Sequence, residues 1–487
     1  TADFTPRDLE QAERTLAAAQ KAAGKAKRKV YKPPALPGVD VIEELGRGGF
    51  GVVYRAFDEK HNREVALKTL QRMGPDDLVR FKNEFRALAD IAHPNLVSLY
   101  ELLSDGRTWC FTMEILNGVN FLEYVWSEFE SLRIDAVKDR VAARIEESVR
   151  LSMRRMNRLF DSLKQLVVGL NELHLAGKLH SDIKPSNVLV TTEGRVVLLD
   201  FGLIAEIQRD HEGRLPSVIQ GTPHYMAPEQ AACRPLTEAS DWYAVGVMLY
   251  EVLTGRLPFR GTTAKAMLRK QYEVPVEPAK RQPGIPPELN KLCMALLEID
   301  PQKRPSAADI LRAVDAEELA EVLVERATVN AQLTVDLVGR EEQLGTLERV
   351  FAETVQGHTR SVFIHGDSGM GKTVLIRTFL DRLVSRGEAI LLEGRCYEQE
   401  SVPFKSLDSL IDALVVYLSS LPKPVLAELI PQDTLPLLRL FPVLGQLPGT
   451  HDRDKPTIDS ADQHELRTRA MAALRELLVR LGRRLPI

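Results

Sequence analysis

The chain has 487 residues, 44% hydrophobic and 27% charged, with a formal net charge of −4. That length exceeds one ordinary domain and predicts two or three, and the near balance of charge points to no nucleic-acid or anionic-membrane partner. No apolar run approaches the ~20 residues that span a bilayer, no signal peptide is recognised, and Cys110, Cys233, Cys293 and Cys396 share no metal-ligand or redox spacing, so a cytoplasmic, reducing setting is expected.

In chain order, residues 6–29 read as one helix rich in Ala, Glu and Lys. The chain opens on Thr1 rather than Met, so its natural start is expected upstream. The basic cluster of Lys21, Lys25, Lys27, Arg28, Lys29 and Lys32 reads as a solvated helix and tail. The stretch Lys32 to Gly38, with prolines at 33, 34 and 37, forms a stiff linker that closes an N-terminal segment of residues 1–39. Short β-like runs follow at 41–45, 52–57 and 65–70, then a helix over 76–91, then strands at 96–102 and 108–115. Beyond these the pattern is mostly helical, apart from a loop-rich stretch at about 179–229. A small β-rich lobe followed by a larger helical lobe is an α+β plan with a cleft between. A charged helix over 316–335 reads as a connector, and a new α/β pattern begins at Leu337.

Three motifs in the first part carry chemistry. Glycines at 46, 48 and 51, with Gly49 beside them, lie in a segment from Leu45 to Val53 between two strand-like runs. Without a Cβ, such a segment lets the backbone approach phosphates. A dinucleotide-binding turn would run into a helix, whereas Val52, Val53 and Tyr54 read as a strand, so a flap over a triphosphate is expected. Lys68 lies in an apolar strand and needs an anionic partner. Glu84 offers one, on a helical stripe with Phe81, Phe85, Leu88 and Ile91. Finally, the run from His180 to Asn187 is followed by Asp200-Phe201-Gly202. Asp182 is placed to accept a hydroxyl proton, Lys184 to neutralise a moving phosphoryl group, and Asn187 and Asp200 to offer hard oxygens to Mg²⁺. Each residue alone is an ordinary turn former or surface charge. Their order and spacing together are what argue for metal-assisted phosphoryl transfer.

On these residues the sequence resembles a eukaryotic-type protein kinase domain, of the kind found in bacteria, over about 40–315. Gly221-Thr222-Pro223, Ala227-Pro228-Glu229, Asp241, Gly246 and Arg304 extend the resemblance. It implies a bilobal fold, ATP and Mg²⁺ as cofactors, and a protein substrate phosphorylated on serine or threonine. That branch is marked by Lys184 and Thr222. The resemblance also implies a gatekeeper at Met113, an adenine hinge from Glu114 to Leu116, a buried ion pair between Glu229 and Arg304, and a brace for the catalytic loop at Asp241.

Two features depart from the family pattern. Ser181 stands where an arginine usually pairs with an activation-loop phosphate, so activity is expected not to require phosphorylation at, for example, Ser217. Residues 126–158, rich in charge, form an insertion expected to be a solvated helical elaboration.

The second part, 336–487, carries Gly366-Asp367-Ser368-Gly369-Met370-Gly371-Lys372-Thr373, a complete G-x-x-x-x-G-K-[ST]. A strand over 361–365 precedes it and a helix over 373–385 follows. Backbone N–H groups and the helix N-terminus would cradle phosphates, with Lys372 on the β- and γ-phosphates and Thr373 on Mg²⁺. Val338-Gly339-Arg340-Glu341 resembles the entry to AAA-like ATPase modules of signalling proteins. Another strand is expected at 389–392. Neither it nor the run 414–418 leads into a metal-holding acid, so the acidic strand is expected beyond Ile487, with weak nucleotide binding and poor hydrolysis in the part at hand. Two further readings stand beside an active kinase: a catalytically silent kinase-like scaffold, and a regulator of a C-terminal ATPase.

Overall fold

The computed structural model describes residues 36–47, 51–70, 75–104, 108–127, 153–200, 205–206, 222–332, 339–367, 370–396, 399–402, 404–448, 450 and 463–487. The N-terminal helix, Gly48, Gly49, Gly369 and Ser217 lie outside them, as does most of the 126–158 insertion. The chain separates into two compact units, one drawn mainly from residues up to 328 and the other mainly from 329–487.

The first unit opens with strands β1 (Val39–Arg47), β2 (Gly51–Asp58) and β3 (Arg63–Leu70), then helix α1 (Pro75–Leu88), β4 (Leu99–Ser104) and β5 (Trp109–Met113). These strands neighbour one another in the order β1-β2-β3-β5-β4. Alternation explains the pairing: Val52, Tyr54, Ala56 and Asp58 of β2 turn inward and are buried. Gly51 has a packing reason to be glycine, since a Cβ there would lie 2.3 Å from the Thr69 carbonyl oxygen on β3. A Cβ at Gly46 would meet nothing within 4 Å. Helix α1 buries Leu78, Phe81, Phe85 and Leu88. Phe81 and Phe85 pack on Phe111 of β5 at ring-centroid distances of 4.9 and 5.8 Å, and this docking fixes which way Glu84 points.

The helical lobe begins with β6 (Gly118–Asn120) and α2 (Phe121–Trp126), followed by the long α3 (Met153–Leu175), β7 (Lys178–Leu179), β8 (Val188–Thr191), β9 (Val196–Leu198) and β10 (Ala205–Glu206). Trp126 therefore closes α2 and residues 153–158 already belong to α3, so both ends of the predicted insertion are regular helix. Further helices are α4 (Pro228–Ala231), α5 (Glu238–Thr254), α6 (Thr263–Arg269), α7 (Pro278–Arg281), α8 (Pro287–Leu296), α9 (Ala307–Ala313) and α10 (Glu317–Gln332). One apolar core joins them, with Leu163, Leu170, Tyr243, Val247, Leu253 and Leu296 among its fully buried members. At the C-terminus of α5, Gly255 takes φ +67° and its N–H closes on the Glu251 carbonyl, a left-handed cap that glycine adopts without Cβ strain.

The second unit contains α11 (Glu341–Val355), α12 (Lys372–Ser385), α13 (Lys405–Ser419), α14 (Lys423–Leu429), α15 (Leu435–Leu440) and α16 (Gln463–Gly482). Ile411, Leu414, Leu418, Phe441, Leu477 and Leu481 belong to its core. Two sequence expectations are corrected here. Residues 361–365 and 389–392 carry no β-ladder, because a strand exists only through a neighbour's N–H and C=O groups and no described strand pairs with either run. The run 414–418 is helical, within α13; its apolar residues face a helical core.

Candidate functional site

A β-hairpin assembles the site. Strand β8 starts directly after Asn187, β9 ends two residues before Asp200, and the strands pair antiparallel with Val188 opposite Leu198. The Leu199 N–H donates to the Asn187 carbonyl at 2.8 Å, so the hairpin sets the loop 180–187 beside Asp200. Asp200 takes φ +56° and Ser181 φ +63°. Non-glycine residues seldom occupy this left-handed region, and surrounding bonds must hold them there. For Ser181 those bonds are visible. Its N–H donates to Asp241 Oδ1 at 2.8 Å and its carbonyl accepts from Gln230 Nε2 at 2.8 Å. The buried Asp241 also accepts from the His180 N–H and pairs with His174 Nε2, both at 2.9 Å. Burial works to raise the Asp241 pKa, but His174, His180 and these hydrogen bonds outweigh it and hold the carboxyl below its ordinary value. Among the described residues, the buried Ser181 hydroxyl meets no hydrogen-bond partner.

The structure brings the predicted residues into two clusters. In the first, Lys68 Nζ donates to Glu84 Oε1 at 2.5 Å and to Asp200 Oδ1 at 2.6 Å. The lysine comes from β3, Glu84 from α1 and Asp200 from beyond β9. Burial disfavours the ammonium, but Glu84 and Asp200 outweigh it and raise the lysine pKa. Burial likewise pushes Glu84 up against the pull of Lys68. Asp200 stays below its ordinary range, because Lys68 outweighs the burial of its carboxyl.

In the second cluster, Lys184 Nζ donates to Asp182 Oδ2 at 2.5 Å and to Thr222 Oγ1 at 2.9 Å. Thr222 donates to Asp182 Oδ1 through both its N–H and its hydroxyl, each at 2.8 Å. Asn187 Nδ2 donates to the Asp182 carbonyl at 2.9 Å and to Asp182 Oδ2 at 3.2 Å. The amide is thereby fixed with its nitrogen spent on Asp182 and its oxygen on the other side. A cavity of about 510 Å³ opens beside Lys184, with Asn120, Glu123, Trp126, Thr222 and Tyr225 in its wall.

At the hinge, the Glu114 carboxylate is consumed by Arg195 in a two-pronged pair at 2.8 and 2.9 Å and by the Ser98 N–H at 2.8 Å. These partners all lie within the protein, so its side chain braces the segment that follows β5. Leu116 is partly buried against the core of the helical lobe. Gly46 and Val53 face each other across β1 and β2, and Leu45 is largely exposed. Glu229 and Arg304 form the buried pair, with Arg304 Nη1 and Nη2 at 2.6 and 2.8 Å from the two carboxylate oxygens.

In the second unit, Gly371 takes φ +76° and leads into α12 through Lys372 and Thr373, while Gly366 precedes with φ +154°. The partly exposed Lys372 donates to the carbonyls of Gly366 and Asp367, each at 2.7 Å. Arg340 Nη2 donates to the Met370 carbonyl at 3.2 Å.

Sequence reasoning passed over Thr222 as a site residue, although its place before Pro223 had been noted, and it gave the Glu114 side chain no part in bracing. The first holds Asp182 and Lys184 of the loop 180–187; the second depends on Arg195, 81 positions away.

Against known families, residues 39–314 match the protein kinase domain and residues 336–487 match an AAA ATPase domain. The first match takes more than half of the chain, which belongs to the protein kinase family. Its fold is the kinase arrangement of a β-sheet lobe and a helical lobe, followed in the chain by an AAA-type P-loop domain. The chain is 32% identical over 297 residues to the serine/threonine-protein kinase PknD of Chlamydia caviae, a stretch that is 56% of this chain and 30% of PknD. It is 30% identical over 290 residues to the serine/threonine-protein kinase PrkC of Bacillus subtilis, covering 58% of this chain and 41% of PrkC. The matched part is thus well under half the length of either relative. Among the described residues, no helix is long and apolar enough to cross a membrane.

Proposed function

We propose that this chain transfers the γ-phosphoryl group of ATP to serine or threonine hydroxyls of proteins. The observation that carries the reading is the meeting of Lys68 with Glu84 and Asp200, beside Asp182, Lys184, Asn187 and Thr222. Lys68, steadied by Glu84, holds the α- and β-phosphates under the glycine loop. Asp182 orients the attacking hydroxyl and accepts its proton as the new P–O bond forms and ADP departs, and Lys184 offsets charge on the moving group. The donor set fits Mg²⁺. Among the described residues, Asn187 has its nitrogen turned to Asp182 and its Oδ1 met by the Ser186 hydroxyl at 3.3 Å, and Asp200 spends one oxygen on Lys68. When bound there, the ion would neutralise the phosphate oxygens. Residues 336–487 act as a nucleotide-binding regulatory part through Gly366, Gly371, Lys372 and Thr373. Since the backbone at Ser181 is held by Asp241 and Gln230, activity does not wait on a phosphate at Ser217.

The test is transfer of radiolabelled phosphate to a basic serine-containing protein, comparing the wild type with Asp200→Asn, with and without Mg²⁺. Label on serine or threonine that needs Mg²⁺ and drops ~10²-fold or more in the variant is the expected result. Equal labelling by both proteins would overturn the assignment.

A further inference from the structure

The segment Thr222–Met226 has a second anchor that the phosphoryl-transfer cluster does not use. Lys270 follows the last turn of α6, and its side chain is among the largest fully buried ones, with a relative exposure of 1%. Its Nζ donates to the carbonyls of Pro223 at 2.8 Å, His224 at 3.1 Å and Met226 at 2.6 Å. An ammonium has three donors, and all three are spent on one short stretch of backbone. The Tyr243 ring lies 5.8 Å from the same nitrogen. Burial pushes the Lys270 pKa down to about 7, with the Glu229 carboxylate pulling the other way. A cation this buried persists only where its donors are fully met.

The same stretch of backbone is tied at its other groups. Thr222 bonds to Asp182 and Lys184. The Tyr225 hydroxyl donates to Glu251 Oε2 at 2.5 Å. Thr222 and Tyr225 also stand in the wall of the 510 Å³ cavity beside Lys184. One side of the segment thus faces the space next to the reacting residues, and the carbonyls of the other side converge on a single buried cation.

We propose that Lys270 is a positioning residue for the protein substrate: by gathering three carbonyls it sets the wall formed by Thr222–Met226 against which the phosphoacceptor segment lies. This rests on the kinase reading above. Among the described residues, Lys68, Glu84 and Asp200 make no hydrogen bond to this segment, whereas Thr222 bonds to Asp182 and Lys184, so the effect falls on acceptor binding and transfer rather than on ATP binding.

The test uses the full chain with Lys270→Met, which keeps the length and removes all three donors, and Lys270→Arg, which keeps the charge. Steady-state transfer to a basic serine-containing peptide is measured beside the KM for ATP. Lys270→Met is expected to lower kcat/KM for the peptide about tenfold or more, the scale of losing charge-assisted hydrogen bonds, while the KM for ATP stays within about twofold and Lys270→Arg recovers part of the loss. Amide exchange at 222–226 should rise in Lys270→Met whether or not transfer is measurable. Should Lys270→Met prove insoluble, Lys270→Gln carries the same comparison. A peptide kcat/KM within about twofold of wild type, equal losses toward ATP and peptide, or unchanged exchange at 222–226 would each overturn the inference. A wild type that transfers no phosphate would instead remove the kinase reading and this inference with it.

Discussion

In each unit the sequence singles out one lysine for phosphate, and the two are held by different chemistry. Lys68 is buried and bonded to two carboxylates from separate elements, Glu84 on α1 and Asp200 beyond β9. Lys372 is partly exposed and bonded to two neutral carbonyls of its own loop. A carboxylate pair fixes both the position and the charge state of the ammonium, and it couples the lysine to the packing of α1. A carbonyl pair only parks it, and an incoming phosphate outcompetes such acceptors easily because charge-assisted bonds are roughly twice as strong as neutral ones. The first lysine is therefore fixed by contacts between separate elements, and the second only by its own loop.

The largest expected effect tests that claim directly. Lys68→Met removes the cation shared by Glu84 and Asp200 and leaves two carboxylates facing one another. Phosphate transfer should fall ~10²–10³-fold, the scale of deleting one pre-organised electrostatic group. Glu84, already pushed up by burial, should take up a proton more readily, visible as a carboxyl titrating well above its ordinary value of 4.5 in a pH-resolved infrared difference spectrum. Transfer that survives the substitution within about threefold would mean that the carboxylates alone organise the site, and the contrast between the two lysines would be lost.

A smaller effect comes from the Glu229–Arg304 pair, which ties α4 to the helical core. The Arg304 side chain is 0% exposed and also donates to the carbonyls of Ala239, Glu298 and Ile299. Arg304→Met leaves Glu229 buried without its partner, a change worth ~3–5 kcal/mol in urea unfolding. The pH dependence has a definite sign. Burial works to raise Glu229, but Arg304 and Ser240 outweigh it and hold the folded pKa below 4.5. In the wild type this contribution is complete above about 4.5 and is lost as pH falls through the lower folded value. Without the guanidinium, burial wins and the folded pKa rises. The variant's deficit should then shrink as pH is lowered from 8 to 5. A deficit independent of pH would show that lost packing, not an unpaired charge, is the cause.

Much of the first site was legible because its chemistry is written in side chains at fixed spacing. The apolar stripe of Phe81, Phe85 and Leu88 fixed the face of α1, and with it Glu84. Asp182, Asn187 and Asp200 fall at the ends of a short hairpin whose pairing only the folded chain displays. What escaped reading depends on backbone acceptors or distant partners. Lys270 bonds only to carbonyls, which every residue carries, so nothing in the sequence marks it. Gly51 reads as a phosphate-facing glycine, yet the Thr69 carbonyl excludes a side chain there. Runs 361–365 and 389–392 have the apolar residues of strands, but composition records a tendency to be buried and says nothing of a hydrogen-bonding neighbour. Phe363, 81% exposed, shows the gap between the two.

The smallest effect concerns Lys372. Its acceptors are uncharged, so Lys372→Met leaves no buried ion behind and should not alter unfolding measurably. What it removes is the cation that a β- or γ-phosphate would meet at the N-terminus of α12. Calorimetric titration with ATP should therefore show two binding events per wild-type chain and one in the variant, the survivor being the event that Lys68→Met weakens. Transfer to peptide at saturating ATP should move by no more than about fivefold, the lower end of coupling between two sites on one protein. A loss in transfer approaching that of Lys68→Met would mean that the P-loop lysine serves the same reaction. The two sites would then be parts of one catalytic device rather than a catalytic centre and a nucleotide-dependent modulator.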